Sequence, residues 1–204
     1  MYRLPAGLVL LTALAACGGG SGGGASGQGL PTQVAGALQK YEGVWIRPCA
    51  AHNRDTMTLA ASNGGATLSF TIKTEYFANV DCTGAVVATG TYAQAATVLQ
   101  YTGTVKDASV RMPNGETVTA SVDQGNATAT TTPITFTGSG VTSSTVNGKT
   151  VWHIQFGQGS TDVQTNLGTG VTSASLALRN GELLVLSVSG NSGNTFNVES
   201  RLTH

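Results

Sequence analysis

The feature that most constrains the fold is an alternation of apolar and polar side chains over residues Thr67–Phe77. Leu68, Phe70 and Ile72 occupy every second position, with Thr, Ser and Lys residues between them. Because a strand places successive side chains on opposite faces of a sheet, this segment predicts a half-buried antiparallel strand. The same reasoning predicts strands over Thr56–Ala61, Val86–Tyr92, Val98–Val105, Thr117–Val122 and Ile134–Thr137.

Three Asn-Gly dipeptides predict hairpin turns between neighbouring segments, at Asn114-Gly115, Asn147-Gly148 and Asn180-Gly181. The favoured two-residue turn needs positive φ at both central residues, which Asn and Gly tolerate best. The last turn places Arg179 opposite Glu182, which predicts a cross-strand charge pair.

The hairpin around Asn180-Gly181 is apolar on both faces. One face carries Leu176, Leu178, Leu183 and Val185, and the other carries Ala177, Leu184, Leu186 and Val188. The second apolar face must also be shielded from water by another part of the chain. The segment Pro31–Tyr41 is the candidate, because its apolar residues at spacings of three and four predict a short helix.

Composition narrows the fold class and the kinds of partner. Only 10% of the 204 residues are charged, 40% are apolar and the formal net charge is zero, so no basic surface is available for nucleic acid. Short strands with turn signals every ~8–12 residues predict an all-β domain over residues 31–204. We expect an antiparallel β-barrel of about 8–10 strands with a short N-terminal helix. The alternative is a β-sandwich.

The N-terminal residues 1–16 predict a secretory signal. Arg3 precedes an apolar run that is shorter than the ~20 residues a transmembrane helix needs. The run ends in Leu14-Ala15-Ala16-Cys17, which resembles the lipobox of bacterial lipoproteins. The resemblance implies a diacylglyceryl group on Cys17, which becomes the first mature residue. In that family an aspartate directly after the cysteine favours retention in the inner membrane. This sequence has Gly18 at that position, so the resemblance implies delivery to the outer membrane.

Residues 17–30 contain the Cys17 attachment point followed by an almost pure Gly/Ser sequence. Such a composition predicts a flexible coil with a reach of ~20 Å. The anchor would therefore hold the folded domain close to the membrane, in the periplasm or at the cell surface.

Two further cysteines, Cys49 and Cys82, are predicted to form a disulfide. Export places them in an oxidising compartment, where a remaining pair usually bonds. The alternative is a reactive thiol at Cys49 assisted by His52.

The pattern Gly43-Val44-Trp45, together with Arg201 near the end of the sequence, resembles the lipocalin family. In that family a Gly-x-Trp opens the first strand, and a late arginine packs on the tryptophan. The resemblance implies that Gly43, Trp45 and Arg201 close one end of a barrel, with the guanidinium over the indole ring.

No residue pattern predicts a catalytic site, a metal site or a cofactor. His52 and Asp55 could form a metal site or an acid–base pair, but a hydrogen-bonded polar loop is the favoured interpretation. His153 is predicted to face solvent, on the strand face opposite Trp152.

We therefore expect a lipid-anchored envelope lipoprotein with a non-catalytic binding role. Its barrel would take a small hydrophobic ligand. The alternatives are a structural or protein-interaction module of the envelope and, third, an envelope hydrolase.

Overall fold

The computed structural model describes residues 36–129, 133–164, 170–189 and 193–204. These residues form an all-β domain, as predicted, with two three-residue 3-10 helices at Gln39–Tyr41 and Asn63–Gly65. The strands are β1 (Gly43–Ile46), β2 (Asn53–Ser62), β3 (Thr67–Phe77), β4 (Val86–Tyr92), β5 (Thr97–Arg111), β6 (Thr117–Ala129), β7 (Ile134–Thr137), β8 (Val141–Val146), β9 (Lys149–Gln155), β10 (Ser160–Gln164), β11 (Val171–Arg179), β12 (Glu182–Val188) and β13 (Thr195–Leu202).

The predicted signal segment, the lipobox with Cys17 and the Gly/Ser linker, residues 1–30, lie outside the described residues. So do residues 31–35 of the predicted helix. Within the described ranges, no helix is long and apolar enough to cross a membrane.

Alternation predicted the strands with the most regular patterns well. β3, β4 and β7 have the predicted bounds, whereas β5 and β6 run beyond theirs. Their pairing contains irregularities between Tyr101 and Gly103 and between Val105 and Ala108. Each bulge inserts an extra residue into β5, and these residues interrupt the apolar alternation without ending the pairing of β5 with β6. The alternation in the sequence therefore ends before the strands do.

The three Asn-Gly sites all form hairpins. Asn147 and Asn180 have positive φ, as do the glycines that follow them. Arg179 is the register partner of Glu182, as predicted. The predicted charge pair between these two residues is wrong, because the Arg179 guanidinium lies 4.0 Å from Glu116 and Glu182 instead accepts hydrogen bonds from Arg201.

The larger sheet has ten strands, and its pairing closes on itself through five of them, in the order β5, β13, β12, β11 and β6. β6 then pairs with β5 to complete this ring, while β1, β2 and β3 extend from β5. The pairing between β13 and β5 is parallel and the other described pairings are antiparallel. The sheets therefore do not form the predicted clean barrel of about 8–10 strands.

The ring is filled by side chains from all five of its strands. This cluster of buried residues comprises Ala108, Val110, Met112, Val122, Ala177, Leu184, Leu186 and Phe196. Interiors of small closed sheets are normally packed in this way. The second apolar face of the β11–β12 hairpin, carrying Ala177 and Leu184, is therefore covered by β5 and β6 and not by the N-terminal segment.

The N-terminal segment, of which residues 36–41 are described, instead covers the face of the β11–β12 hairpin that carries Leu176 and Leu183. Leu38 and Tyr41 are fully buried in one cluster with Leu176 and Leu183. Residues 36–41 form a turn and a 3-10 helix rather than the predicted helix. The physical reason is that the Leu38 N–H donates to the Gly65 carbonyl, so the segment pairs with the β2–β3 connection.

A buried carboxylate fixes this segment. The Tyr41 hydroxyl donates to Asp123 at 2.7 Å, the Lys40 ammonium lies 2.6 Å from the same carboxylate, and Thr104 donates to it at 2.5 Å. Burial and the neighbouring Asp123 charge raise the pKa of Tyr41, so its hydroxyl remains a donor. Asp123 is 1% exposed, and these three partners satisfy its charge.

The smaller sheet has the order β10-β9-β8. Val141, Trp152, Ile154 and Phe156 share one face, as predicted, and they pack against residues of β4 and β7, which include Ala88 and Phe136. This contact places the connection after β9 beside the connections that flank β2 and β3.

Candidate binding site at the disulfide-bonded loops

Three connections converge at one place in the fold: residues 47–52 between β1 and β2, residues 78–85 between β3 and β4, and residues 156–159 between β9 and β10. We call them the loop cluster. The Cys49–Cys82 disulfide joins the first connection to the second. The His52 ring stacks flat on Phe156, with ring centroids 4.1 Å apart, and joins the first to the third. Loops held on a sheet scaffold in this way are common sites of binding.

The two cysteines are bonded, as the sequence predicted, with their Cα atoms 5.8 Å apart. Both sulfur atoms are therefore used in the bond. The alternative of a reactive Cys49 thiol assisted by His52 does not apply to this state of the protein.

The backbone around the disulfide is strained. Ala51 and His52 have φ values of 48° and 74°, and Cys82 has a φ of 59°. Residues with a Cβ avoid this region, and such conformations persist where surrounding contacts enforce them. Here the His52 N–H donates to the Val80 carbonyl and the Phe77 N–H donates to the His52 carbonyl. Disulfide and hydrogen bonds together hold the two loops in one conformation.

The His52 side chain is also held in place. Its Nδ1 lies 3.0 Å from the Phe77 carbonyl oxygen. Because a carbonyl only accepts hydrogen bonds, Nδ1 carries a proton and donates to this oxygen. The imidazole is therefore fixed by this hydrogen bond and by its stacking on Phe156.

The structure does not bring His52 and Asp55 together as a metal or acid–base site. Asp55 is buried, pairs with the Arg47 guanidinium and accepts a 2.6 Å hydrogen bond from Thr74. In the described part of the chain, no group of three His, Cys, Asp or Glu side chains could hold a metal ion.

A surface pocket of about 400 Å³ lies within the loop cluster. Its lining residues are His52, Ala78, Asn79, Val80, Asp81, Thr83 and Gln158. Val80 is 64% exposed and presents an apolar side chain to solvent within this pocket. Hydrogen bonds from the Thr83 hydroxyl and N–H hold the pKa of Asp81 below its usual value, so the rim carries a stable negative charge.

The residues predicted to close a barrel lie elsewhere. Trp45 is 2% exposed, as expected for a closing residue, but the ring against it is the imidazole of His204, with centroids 3.8 Å apart. The Arg201 guanidinium instead pairs with Glu182 on the neighbouring strand. The predicted Arg201–Trp45 contact is therefore replaced by a His204–Trp45 contact.

The contact between Trp45 and His204 explains why position 43 is a glycine. Its φ is 135°, and a Cβ at this position would lie 3.2 Å from the His204 imidazole. The Gly-x-Trp pattern thus provides space for the ring that covers Trp45. The indole N–H donates to the Tyr41 carbonyl, which links this contact to the N-terminal segment.

His153 lies on the face opposite Trp152, as predicted, and its side chain is 46% exposed. Its Nδ1 is 2.7 Å from the Asp162 carboxylate on β10. This surface pair lies on the strands that flank the 156–159 connection, and it contributes little to stability because it is exposed to solvent.

The fold and the site define an all-β domain with a disulfide-bonded loop cluster at one end. Comparison of the chain with protein-family models, with curated proteins and with solved structures finds no match.

Proposed function

We propose that this protein is a lipid-anchored module of the cell envelope that binds a protein partner through the loop cluster and catalyses no reaction. The observation that carries the proposal is the convergence of three loops on one pocket, held by a disulfide and by a stacked His52. Rigid loops lose little conformational entropy on binding, so strain and covalent bonding at this position favour recognition.

The chemistry of the pocket favours a protein partner. Val80 is an exposed apolar side chain with Asn79, Asp81 and Gln158 around it. An apolar centre within a polar rim is the usual composition of a protein–protein contact.

The packed ring favours this role over carriage of a small hydrophobic ligand. Phe196, Leu184 and Val110 are fully buried within the ring and occupy the space that such a ligand would need. The packing of the three-stranded sheet on β4 and β7 supports a sandwich-like arrangement of the two sheets.

The anchor is tested by Cys17→Ser. We expect this substitution to abolish incorporation of labelled fatty acid, because the lipobox cysteine sulfur is the attachment atom. The measurement is metabolic labelling of cells that make the wild-type or the substituted chain. Cys49→Ala is the matched control, since it also replaces one cysteine and should retain the label. Equal labelling of wild type and Cys17→Ser would refute the anchor.

The binding role is tested by a photo-activatable amino acid at position 80 in cells that make the full chain. Val80 lies in the pocket and is exposed, so a bound partner would lie within reach of the probe. We expect a discrete covalent adduct with an envelope protein after irradiation.

A further inference from the structure

The smaller sheet has an edge strand that lacks the usual protection against pairing. Among the residues that the structure describes, β8 pairs with β9 on one side and with no strand on the other. It contains no charged residue, no proline and no register irregularity, and Thr142 through Val146 are all exposed. Proteins normally protect such edges with charges, prolines, bulges or short length.

The other sheet edges among the described residues are protected. β1 and β7 have only four residues each, and β1 is also bridged to Thr203. β10 carries Asp162 in a pair with His153. β8 has six residues, none of them charged, and is therefore the edge best suited to receive another strand.

The direction of the free backbone groups follows from the hairpin. Val146 and Lys149 flank the two-residue turn at Asn147-Gly148, so the Val146 carbonyl faces β9. Alternate residues of an antiparallel strand bond to the same side. The N–H and C=O groups of Ser143 and Thr145 therefore point to the open edge.

We infer that β8 pairs antiparallel with β8 of a second copy of this chain, about a two-fold axis at Ser143. In this register Ser143 bonds to its own copy, Val141 lies opposite Thr145, and Thr142 lies opposite Ser144. Hydroxyl and β-branched pairs of this kind are favourable across strands, and no like charges meet. The two three-stranded sheets would become one continuous six-stranded sheet.

The size of the contact sets the expected affinity. Pairing through the five residues 141–145 buries less than the ~1,200 Å² of a stable interface, so the dimer should form only at high concentration. This inference depends neither on the lipid anchor nor on the loop cluster.

The register gives a crosslinking test on the full chain in detergent. Ser143→Cys should form an intermolecular disulfide under oxidation, because the two Cα atoms would be ~5.5 Å apart. Ser144→Cys is the matched control, since two copies of that residue would lie about 8 Å apart, beyond disulfide reach. The wild-type chain provides the background from its own cysteines. Equal crosslinking of both variants, or of neither, would overturn the inference.

A second measurement avoids added thiols. Ser143→Lys would place two ammonium groups opposite each other, whereas Ser144→Lys would face Thr142. We expect sedimentation to show a dimer dissociation constant raised about fivefold or more by Ser143→Lys and little changed by Ser144→Lys. A wild-type chain that remains monomeric at all concentrations would also overturn the inference.

Discussion

Replacing Trp45 by alanine is expected to lower the free energy of unfolding by about 3–5 kcal/mol. The indole is 2% exposed, packs in the cluster that contains Leu38 and Leu202, and donates to the Tyr41 carbonyl. Its loss would leave a cavity where β1, β13 and the N-terminal segment meet. Denaturant melts of wild type and Trp45→Ala measure the change.

A double-mutant cycle separates the two partners considered for Trp45. His204→Ala should couple to Trp45→Ala by about 0.5–1.5 kcal/mol, because the two rings are in contact. Arg201→Ala is the matched control and should be additive within about 0.5 kcal/mol, because its guanidinium contacts Glu182. Coupling with Arg201 and additivity with His204 would contradict the structure and restore the lipocalin-like closure.

Removing the disulfide is the second change with a large expected effect. Cys49 and Cys82 are 33 residues apart, and the loop-entropy model gives about 4 kcal/mol for a closed loop of this length. The double variant Cys49→Ala/Cys82→Ala should therefore melt at a clearly lower denaturant concentration. The strained conformations of Ala51 and His52 should also relax, because one of their constraints is gone.

Hydrogen exchange distinguishes the local effect from the global one. The amides of His52 and Phe77, which cross-bond the loops, should lose protection beyond that expected from the fall in global stability. The amide of Leu99 in β5, fully buried and outside the loop cluster, is the internal control. Unchanged protection of the His52 and Phe77 amides relative to that of Leu99 would show that the disulfide does not hold the loops.

Local patterns in the sequence were sufficient for the most regular strands and for the turns, but they did not predict β10 or β13. Alternation predicts β3, β4 and β7, and the positive-φ tolerance of Asn and Gly predicts the hairpins, because both signals depend only on neighbouring residues. The prediction that Trp152 and His153 lie on opposite faces of β9 follows from the same alternation of side chains along a strand.

The assembly of the strands was not predictable in this way. The parallel contact of β13 with β5 joins residues that are far apart in sequence, such as Phe196 and Val110, and no local signal marks it. For the same reason the family resemblance predicted the wrong partner for Trp45. Arg201 is adjacent in sequence to the buried Leu202, but the ring that packs against Trp45 belongs to His204.

The pocket was missed for a related reason. Val80, Asp81 and Gln158 are ordinary turn residues in the sequence, and they meet only because the smaller sheet packs on β4 and β7. Two sequence signals pointed to this region: the predicted Cys49–Cys82 bond, which brings two of the three loops together, and the candidate residue His52, which lines the pocket.

The central claim, that a partner binds at the loop cluster, is tested most directly by photo-crosslinking from two equally exposed valines. Val80 lies in the pocket and is 64% exposed, whereas Val171 begins β11 and is 66% exposed. We expect a discrete adduct with one envelope protein from position 80 and none from position 171, and we expect the position-80 adduct to be lost in the Cys49→Ala/Cys82→Ala chain. Equal adducts from both positions, or an adduct from position 171 alone, would contradict it.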